Sequence, residues 1–204
     1  LEKRGVKVDR LFFPDDFRPA LPHEYQFNLD IGAGREAFDR TVRFLKANGI
    51  DIRSVGSGNP GASNVTRVLG WRKGVWVFVL DAAKGALAAG IGLAAGGRPA
   101  GYALGAAAVV GHVFPAWQRF RGGKGVATGG GIAAVMAPIA FGLLVLLWFV
   151  ISQTTKKASV ASIAVVALLP VGVAIEQRRW WEVLAIEGIC VLVMARHLGN
   201  IKRL

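Results

Sequence analysis

Residues 122–125 (GGKG) have the residue types of a phosphate-binding loop. Glycines let a backbone approach a ligand closely, and a helix predicted to begin at residue 126 adds unpaired N–H groups and the positive end of its dipole. Lys124 adds a full positive charge. The segment is not a Walker loop, because the spacing G-x-x-x-x-G-K-[ST] is absent and no strand is predicted before it. The chemistry that these residues predict is the binding of an anionic group such as a phosphate.

Two other segments carry groups that bind anions. Residues 54–67 (SVGSGNPGASNVTR) are dense in Gly, Ser and Asn, and the successive N–H groups of such a loop form an anion nest. The C-terminal segment RHLGNIKRL places His197 and Asn200 three residues apart on one helical face, beside Arg196. Taken singly, the first segment is better explained as a flexible loop and the second as a basic helix end at a lipid surface.

The elements that must position these segments are apolar helices. Hydrophobic residues make up 53% of the 204-residue chain and charged residues 19%, which excludes disorder for most of its length. Cys190 is the single cysteine, so no intrachain disulfide can form and a buried, inert thiol is expected. An all-α, polytopic transmembrane bundle of about six spans is predicted from the apolar segments at 74–96, 99–118, 126–137, 139–153, 158–175 and 180–195.

The segment 126–137 is too short to cross a bilayer alone, since it rises about 18 Å against a hydrocarbon core of about 30 Å. Pro138 separates it from 139–153. The pair is therefore either two helices joined by a tight turn or a single kinked span. The charges favour two helices, because only then do Lys156 and Lys157 lie on the cytoplasmic side.

With six spans, the positive charges lie mainly on one side of the membrane. That side contains residues 51–73, 119–124, 154–157 and 196–204. The opposite side holds only Arg98, Arg178 and Arg179. The positive-inside rule makes the first side cytoplasmic, and all three anion-binding segments lie on it. We therefore expect one cytoplasmic site for two anionic groups. The net charge of +12 is explained by loops beside anionic lipid and by anionic substrates, and no nucleic-acid partner is expected.

Asp81 and Lys84 are charged residues inside the first span, one helical turn apart. This spacing puts them on one face, where they can form an ion pair. A neutralised pair that orients the helix is the favoured interpretation, and one wall of an anion site is the alternative. His112, at the end of the second span, is more typical of helix packing than of catalysis.

Residues 1–50 form a polar N-terminal segment, distinct from the transmembrane domain of residues 51–204. Within it, residues 35–47 (REAFDRTVRFLKA) predict an amphipathic helix that lies either on the membrane surface or against a soluble partner. The start of the chain lacks a basic stretch followed by an apolar core, so no signal peptide is expected.

Three extended motifs resemble those of a known family. Residues 56–67 (GSGNPGASNVTR), residues 111–128 (GHVFP, then GGKGVAT) and residues 196–201 (RHLGNI) occur in the order found in the PlsY family of membrane acyltransferases. Residues 81–85 (DAAKG) and 159–162 (SVAS) also match. The resemblance covers about residues 50–204. Members of the family have seven spans, whereas here polar residues stand in place of the first one.

The resemblance implies transfer of a fatty acyl group from acyl phosphate to the sn-1 hydroxyl of glycerol 3-phosphate. The products would be lysophosphatidic acid, for phospholipid synthesis, and phosphate. It implies a multi-pass protein of the bacterial inner membrane, in contact with lipid, with its active site on the cytoplasmic side and with no cofactor or metal. The catalytic residues would be His197, Lys124, Asn200 and Ser57. The substrate-binding residues would be Arg67, Asn59, Asn64, His112, Gly122, Gly123, Gly125 and Arg196.

In this assignment Arg67 grips a phosphate bidentately and Lys124 lies between the two anions. The N–H groups of Gly122, Gly123 and Gly125 are expected to hold the acyl phosphate or to stabilise the oxyanion. The base for the glycerol hydroxyl is either His197 or the phosphate of the substrate. The phosphate is favoured, because a histidine among cationic residues is engaged as a donor.

Two other functions remain open from the sequence. One alternative is an inactive or truncated relative of the family, which the unusual N-terminal segment suggests. The other is a transporter of small anions. A transporter needs polar residues along a path across the bilayer.

Overall fold

The computed structural model describes residues 52–116, 119–177 and 179–201. The polar segment 1–50, with the helix predicted at 35–47, lies outside these residues. A 3₁₀ turn, Ile52–Ser54, is followed by helices only, which confirms the all-α class for the described part of the chain. The helices are α1 (Ala62–Leu69), α2 (Trp71–Val113), α3 (Val126–Met136), α4 (Pro138–Thr155), α5 (Ala158–Gln177), α6 (Trp180–Ala195) and α7 (Leu198–Ile201).

Helix α2 contains the first two predicted spans, joined at a kink. Gly96 (φ −148°, ψ 22°) and Gly97 (φ 70°, ψ −165°) are not helical, and the positive φ of Gly97 favours glycine. The two halves then fold back on each other, since a Cβ at Gly92 would overlap the carbonyl oxygen of Ala100. Two helical segments are therefore present where two spans were predicted, and the second ends at Val113 rather than at residue 118.

The break at Pro138 separates two helices, as the charges predicted. Ala137 is not helical (φ −149°, ψ 70°), and Pro138 is the first residue of α4, a position where the missing N–H costs nothing. The Glu176 carboxylate, at the end of α5, accepts hydrogen bonds from the backbone N–H groups of Ile139 (3.4 Å) and Ala140 (2.8 Å). These bonds satisfy two of the donors that a helix N-terminus leaves unpaired.

Glycines allow α2 and α3 to pack with their backbones in contact. A Cβ at Gly85 would overlap the carbonyl oxygen of Thr128, and one at Gly131 would overlap that of Ala82. Small residues at a crossing are how helices associate in lipid, where no hydrophobic effect drives them together. The short α3 is therefore held deep in the bundle, and its Ile132 is fully buried.

Three of the described helices, α2, α4 and α5, are long and apolar enough to cross a membrane. Large apolar side chains cover the outside of the bundle, including Leu80 (64% exposed), Leu146 (66%) and Ile175 (72%). Such an apolar exterior suits contact with lipid and is not expected of a soluble monomer. The described part of the chain therefore has the character of a transmembrane bundle.

One end of the bundle is fixed by a buried ionic network, which we call the Arg98 network. Arg98 donates to both oxygens of Glu182, from Nε at 2.8 Å and from Nη2 at 2.5 Å, and to the carbonyl oxygen of Met136 at 2.7 Å. Tyr102 donates its hydroxyl to Glu182 at 3.1 Å. The network joins α2 to the end of α3 and the start of α6. The three predicted anion-binding segments lie at the other end of the bundle.

Candidate active site

Asn64 organises the first of these segments. Its side chain is buried, and its Oδ1 accepts the backbone N–H of Ser57 at 2.8 Å. Its Nδ2 donates to the carbonyl oxygens of Ile52 (3.2 Å) and Val55 (3.1 Å). A Cβ at Gly56 would overlap Asn64 Oδ1. Asn64 was expected to bind substrate, and the structure places it beneath the loop, where it holds the exposed Ser57 in position.

Gly122 and Gly123 lie against the end of α2. Their N–H groups donate to the carbonyl oxygens of Val113 (3.1 Å) and His112 (3.2 Å). A Cβ at Gly122 would overlap the carbonyl oxygen of His112, and one at Gly123 would overlap the imidazole ring of the same residue. The structure corrects the expectation that these two N–H groups hold a phosphate, because both are already paired with protein carbonyls. Close packing explains why the two residues are glycines.

The third segment meets the second through a direct side-chain contact. Lys124 Nζ donates to Asn200 Oδ1 at 2.7 Å, across 76 residues of sequence. Gly125 packs against Val109, Val113 and Val193, so the loop rests on an apolar floor. The predicted convergence of the second and third motifs is confirmed for Lys124 and Asn200.

The three segments enclose a cleft of about 360 Å³. Its lining residues are Arg53, Ser57, Gly58, Asn59, Pro60, Arg121, Gly122, Lys124, Arg196, Gly199 and Asn200. Four of them carry a positive charge, and no Asp or Glu lines the cleft within the described part of the chain. An excess of cations without carboxylates suits the binding of more than one anionic group.

The cleft includes six of the twelve predicted site residues: Ser57, Asn59, Gly122, Lys124, Arg196 and Asn200. The other six do not line it. Among these, Arg67 is exposed on α1, Gly123 and Gly125 are buried in the loop, and His197 is buried beside the cleft.

Two cationic lining residues, Arg53 and Arg121, were not predicted as site residues. Each lies just before a glycine-rich motif, Arg53 three residues ahead of Gly56 and Arg121 directly ahead of Gly122. Arg53 and Arg121 could have been predicted from the sequence, because each is a basic residue that flanks a predicted anion-binding loop.

His112 belongs to a cluster with the Asp81–Lys84 pair. Lys84 Nζ lies 2.6 Å from Asp81 Oδ1 and 2.5 Å from His112 Nδ1, and His112 Nδ1 lies 3.4 Å from Asp81 Oδ1. The predicted ion pair is confirmed, and it extends to a histidine 28 residues further along the chain.

His197 is 2% exposed, and its Nδ1 lies 2.8 Å from the carbonyl oxygen of Val193. Burial lowers the pKa of His197 below its usual value of 6.5, the hydrogen bond with Val193 opposes part of this effect, and the nearby charge of Lys124 makes the smallest contribution, which is also to lower it. The imidazole is therefore neutral at pH 7. Since a carbonyl only accepts, Nδ1 carries the proton.

The lowered pKa of His197 predicts a loss of stability in acid. Below about pH 6.5 the unfolded chain binds a proton that the folded chain resists, so the free energy of unfolding falls as pH drops toward the folded-state pKa. Thermal unfolding in detergent should show a smaller decrease in Tm between pH 8 and pH 5 for His197→Gln than for the wild type. The difference in Tm between the two proteins at pH 8 measures every other effect of the substitution. Equal decreases in Tm between pH 8 and pH 5 would contradict the prediction.

Known sequences similar to this chain carry a consistent description. The family described as Glycerol-3-phosphate acyltransferase matches residues 41–204. The glycerol-3-phosphate acyltransferase of Bacillus cytotoxicus is 40% identical over 156 residues, which cover 76% of this chain and 78% of the relative. One from Anaeromyxobacter dehalogenans is 44% identical over 162 residues, covering 76% and 81%.

Two solved structures share the fold. One is a crystal structure of PlsY (YgiH), an integral membrane glycerol 3-phosphate acyltransferase, in its glycerol 3-phosphate form. It has a TM-score of 0.73 and 36% identity, covering 78% of this chain and 81% of that chain. The lysophosphatidic acid form of PlsY (YgiH) has a TM-score of 0.71 and 34% identity over the same shares.

Proposed function

The chain belongs to the glycerol-3-phosphate acyltransferase family, and from that premise we propose the reaction that it catalyses. A fatty acyl group passes from an acyl phosphate to the sn-1 hydroxyl of glycerol 3-phosphate, giving lysophosphatidic acid and inorganic phosphate. The observation that carries the proposal is the cleft where three motifs meet, which four cationic residues line. The glycerol 3-phosphate and lysophosphatidic acid forms of PlsY (YgiH) support the acceptor and the product.

The charges of the cleft fit two phosphorylated substrates. Arg53, Arg121, Lys124 and Arg196 line a space of about 360 Å³, so two anionic groups placed there would each have a cation within reach. Lys124 is the best placed to lie between them, because Asn200 fixes its ammonium. We assign to the exposed Arg67 a bidentate grip on a phosphate that extends beyond the cleft.

The acyl phosphate is an activated donor, so direct transfer needs no covalent enzyme intermediate. The glycerol hydroxyl oxygen attacks the acyl carbon, the bond from that carbon to the phosphate oxygen breaks, and phosphate leaves. Lys124 balances the negative charge that collects on the leaving phosphate. The hydroxyl proton passes to a substrate phosphate, and the burial of His197 supports that choice over a histidine base.

His197 then has a different task in the proposed site. Its Nδ1–H is committed to Val193, and its ring is buried beside Lys124. A neutral imidazole adds no second positive charge beside the ammonium of Lys124. We assign His197 to holding the third motif in place.

The apolar floor beneath the loop supports chemistry at the surface of the bundle over transport through it. Val109, Val113 and Val193 pack under Gly125, and all three are almost fully buried. A permeating anion would meet hydrocarbon there. We place the cleft on the cytoplasmic side of a bacterial inner membrane, because the positive-inside rule assigns its three segments to that side together with the exposed Lys73, Lys156 and Lys157.

The test is an assay of the full chain in proteoliposomes with labelled glycerol 3-phosphate. With palmitoyl phosphate as donor, labelled lysophosphatidic acid should form, and with palmitoyl-CoA it should not. Equal use of the two donors would overturn the assignment of the donor. If the folded protein forms no lysophosphatidic acid from either donor, the proposed acyl transfer is wrong. Uptake of labelled phosphate into the proteoliposomes without an acyl donor would favour a transporter instead.

A further inference from the structure

We propose that Asp81, Lys84 and His112 form a positioning cluster for the glycine loop, residues 122–125. The ion pair fixes the His112 ring in the tautomer that carries its proton on Nε2, and the ring in turn supports the loop that presents Lys124. The inference deepens the proposed function, because only that function gives Lys124 a task. None of the three residues lines the cleft.

The contacts of Lys84 determine the tautomer. An ammonium group has three N–H donors and no acceptor. One donor reaches Asp81 Oδ1 at 2.6 Å, and another points to His112 Nδ1 at 2.5 Å. His112 Nδ1 must therefore accept in this contact, which leaves the ring proton on Nε2. Asp81 Oδ1 lies farther from the same nitrogen, at 3.4 Å, so the ammonium of Lys84 is the nearer of the two groups.

The protonated side of the ring faces the loop. An added Cβ at Gly123 would overlap His112 Nε2 and lie 2.7 Å from Cε1. The backbone of His112 also accepts the N–H of Gly123 at 3.2 Å. His112 thus supports the loop through both its ring and its carbonyl group. Lys124 follows directly in the chain, so a rotation of the ring would move the backbone that carries its ammonium.

His197 provides an internal comparison. Its Nδ1 faces a carbonyl oxygen, which is an acceptor, whereas Nδ1 of His112 faces an ammonium, which is a donor. The contacts therefore favour opposite nitrogens for the ring proton, Nδ1 in His197 and Nε2 in His112. Opposite tautomers in one spectrum would therefore match the two contacts.

The first test is ¹⁵N NMR of the full chain labelled at histidine, in detergent at pH 8. The signals of His112 and His197 are assigned by their loss in His112→Gln and His197→Gln. We expect His112 protonated on Nε2 in the wild type, and a mixture of tautomers in Lys84→Met and in Asp81→Asn/Lys84→Met, which removes both charges together. Lys73→Met, an exposed lysine on the same helix, should leave the spectrum unchanged. Protonation of His112 on Nδ1 in the wild type, or an unchanged tautomer after loss of Lys84, would overturn the proposal.

The second test measures coupling between Lys84 and His112 in the acyl transfer. Lys84→Met should lower kcat about tenfold, the low end of the effect of groups that orient a catalytic site. In the His112→Gln background the side-chain amide has a fixed donor and no tautomers. There Lys84→Met should lower kcat by less than about twofold. Equal losses in both backgrounds would overturn the proposal. If the wild type shows no transfer at all, the proposed function fails, and the NMR result still decides the tautomer.

Discussion

Replacing Lys124 with alanine should lower kcat/KM for acyl transfer by about 10²–10³-fold, the effect of removing one preorganised group that stabilises charge in a transition state. Lys124 is the cleft residue whose charge the structure fixes from a second motif, through the 2.7 Å contact with Asn200. Without it, two phosphorylated substrates would approach each other with less neutralisation. Product formation from labelled glycerol 3-phosphate and palmitoyl phosphate measures the loss.

The matched control is Lys73→Ala, which removes an exposed lysine on α2 outside the lining of the cleft. It should keep its activity within about twofold, because an exposed charge outside the cleft is screened by salt. Asn200→Ala should fall between the two, since it releases the ammonium of Lys124 but keeps the charge. A Lys124→Ala protein that melts like the wild type and turns over at a similar rate would remove Lys124 from the reaction.

The helices could be predicted from the sequence because the signals that define them are local. Apolar runs bounded by charges gave the segments from residue 126 onward, and Pro138 with the Lys156–Lys157 pair distinguished two helices from one kinked span. Gly97 marks the bend in α2 for the same reason, since its positive φ is a property of one residue. The described bundle follows these signals closely.

The site was predicted less fully because its geometry depends on contacts between distant residues. The positive-inside topology and the family resemblance brought Lys124 and Asn200 to one predicted site. Nothing near Gly122 or Gly123 in sequence, however, shows that their N–H groups are paired with the end of α2. For the same reason the contact of the Asp81–Lys84 pair with His112 was not predicted, because His112 lies 28 residues beyond Lys84. Residue types indicated which chemistry was present, and only packing determined which groups remain available for substrate.

Glu182→Ala should destabilise the bundle by about 3–5 kcal/mol, the usual cost of removing one partner from a buried ion pair. Glu182 is fully buried, and its carboxylate accepts from both Arg98 and Tyr102. Its loss leaves the Arg98 guanidinium, at 25% side-chain exposure, without its main partner. Unfolding in mixed micelles measures the free energy, and Glu187→Ala, at an exposed position on the same helix, should change it by less than about 0.5 kcal/mol.

A second variant separates the cost of an unpaired charge from the value of the Arg98 network itself. Arg98→Met/Glu182→Met removes both charges and fills the space with apolar side chains, so it should recover much of the stability lost in Glu182→Ala. Met136 would still lose the donor to its carbonyl, and recovery should therefore be incomplete. A double variant as unstable as Glu182→Ala would mean that the network stabilises the joining of α2, α3 and α6 through the geometry of its hydrogen bonds. If Glu182→Ala is as stable as the wild type, water reaches the Arg98 guanidinium easily enough to replace the carboxylate.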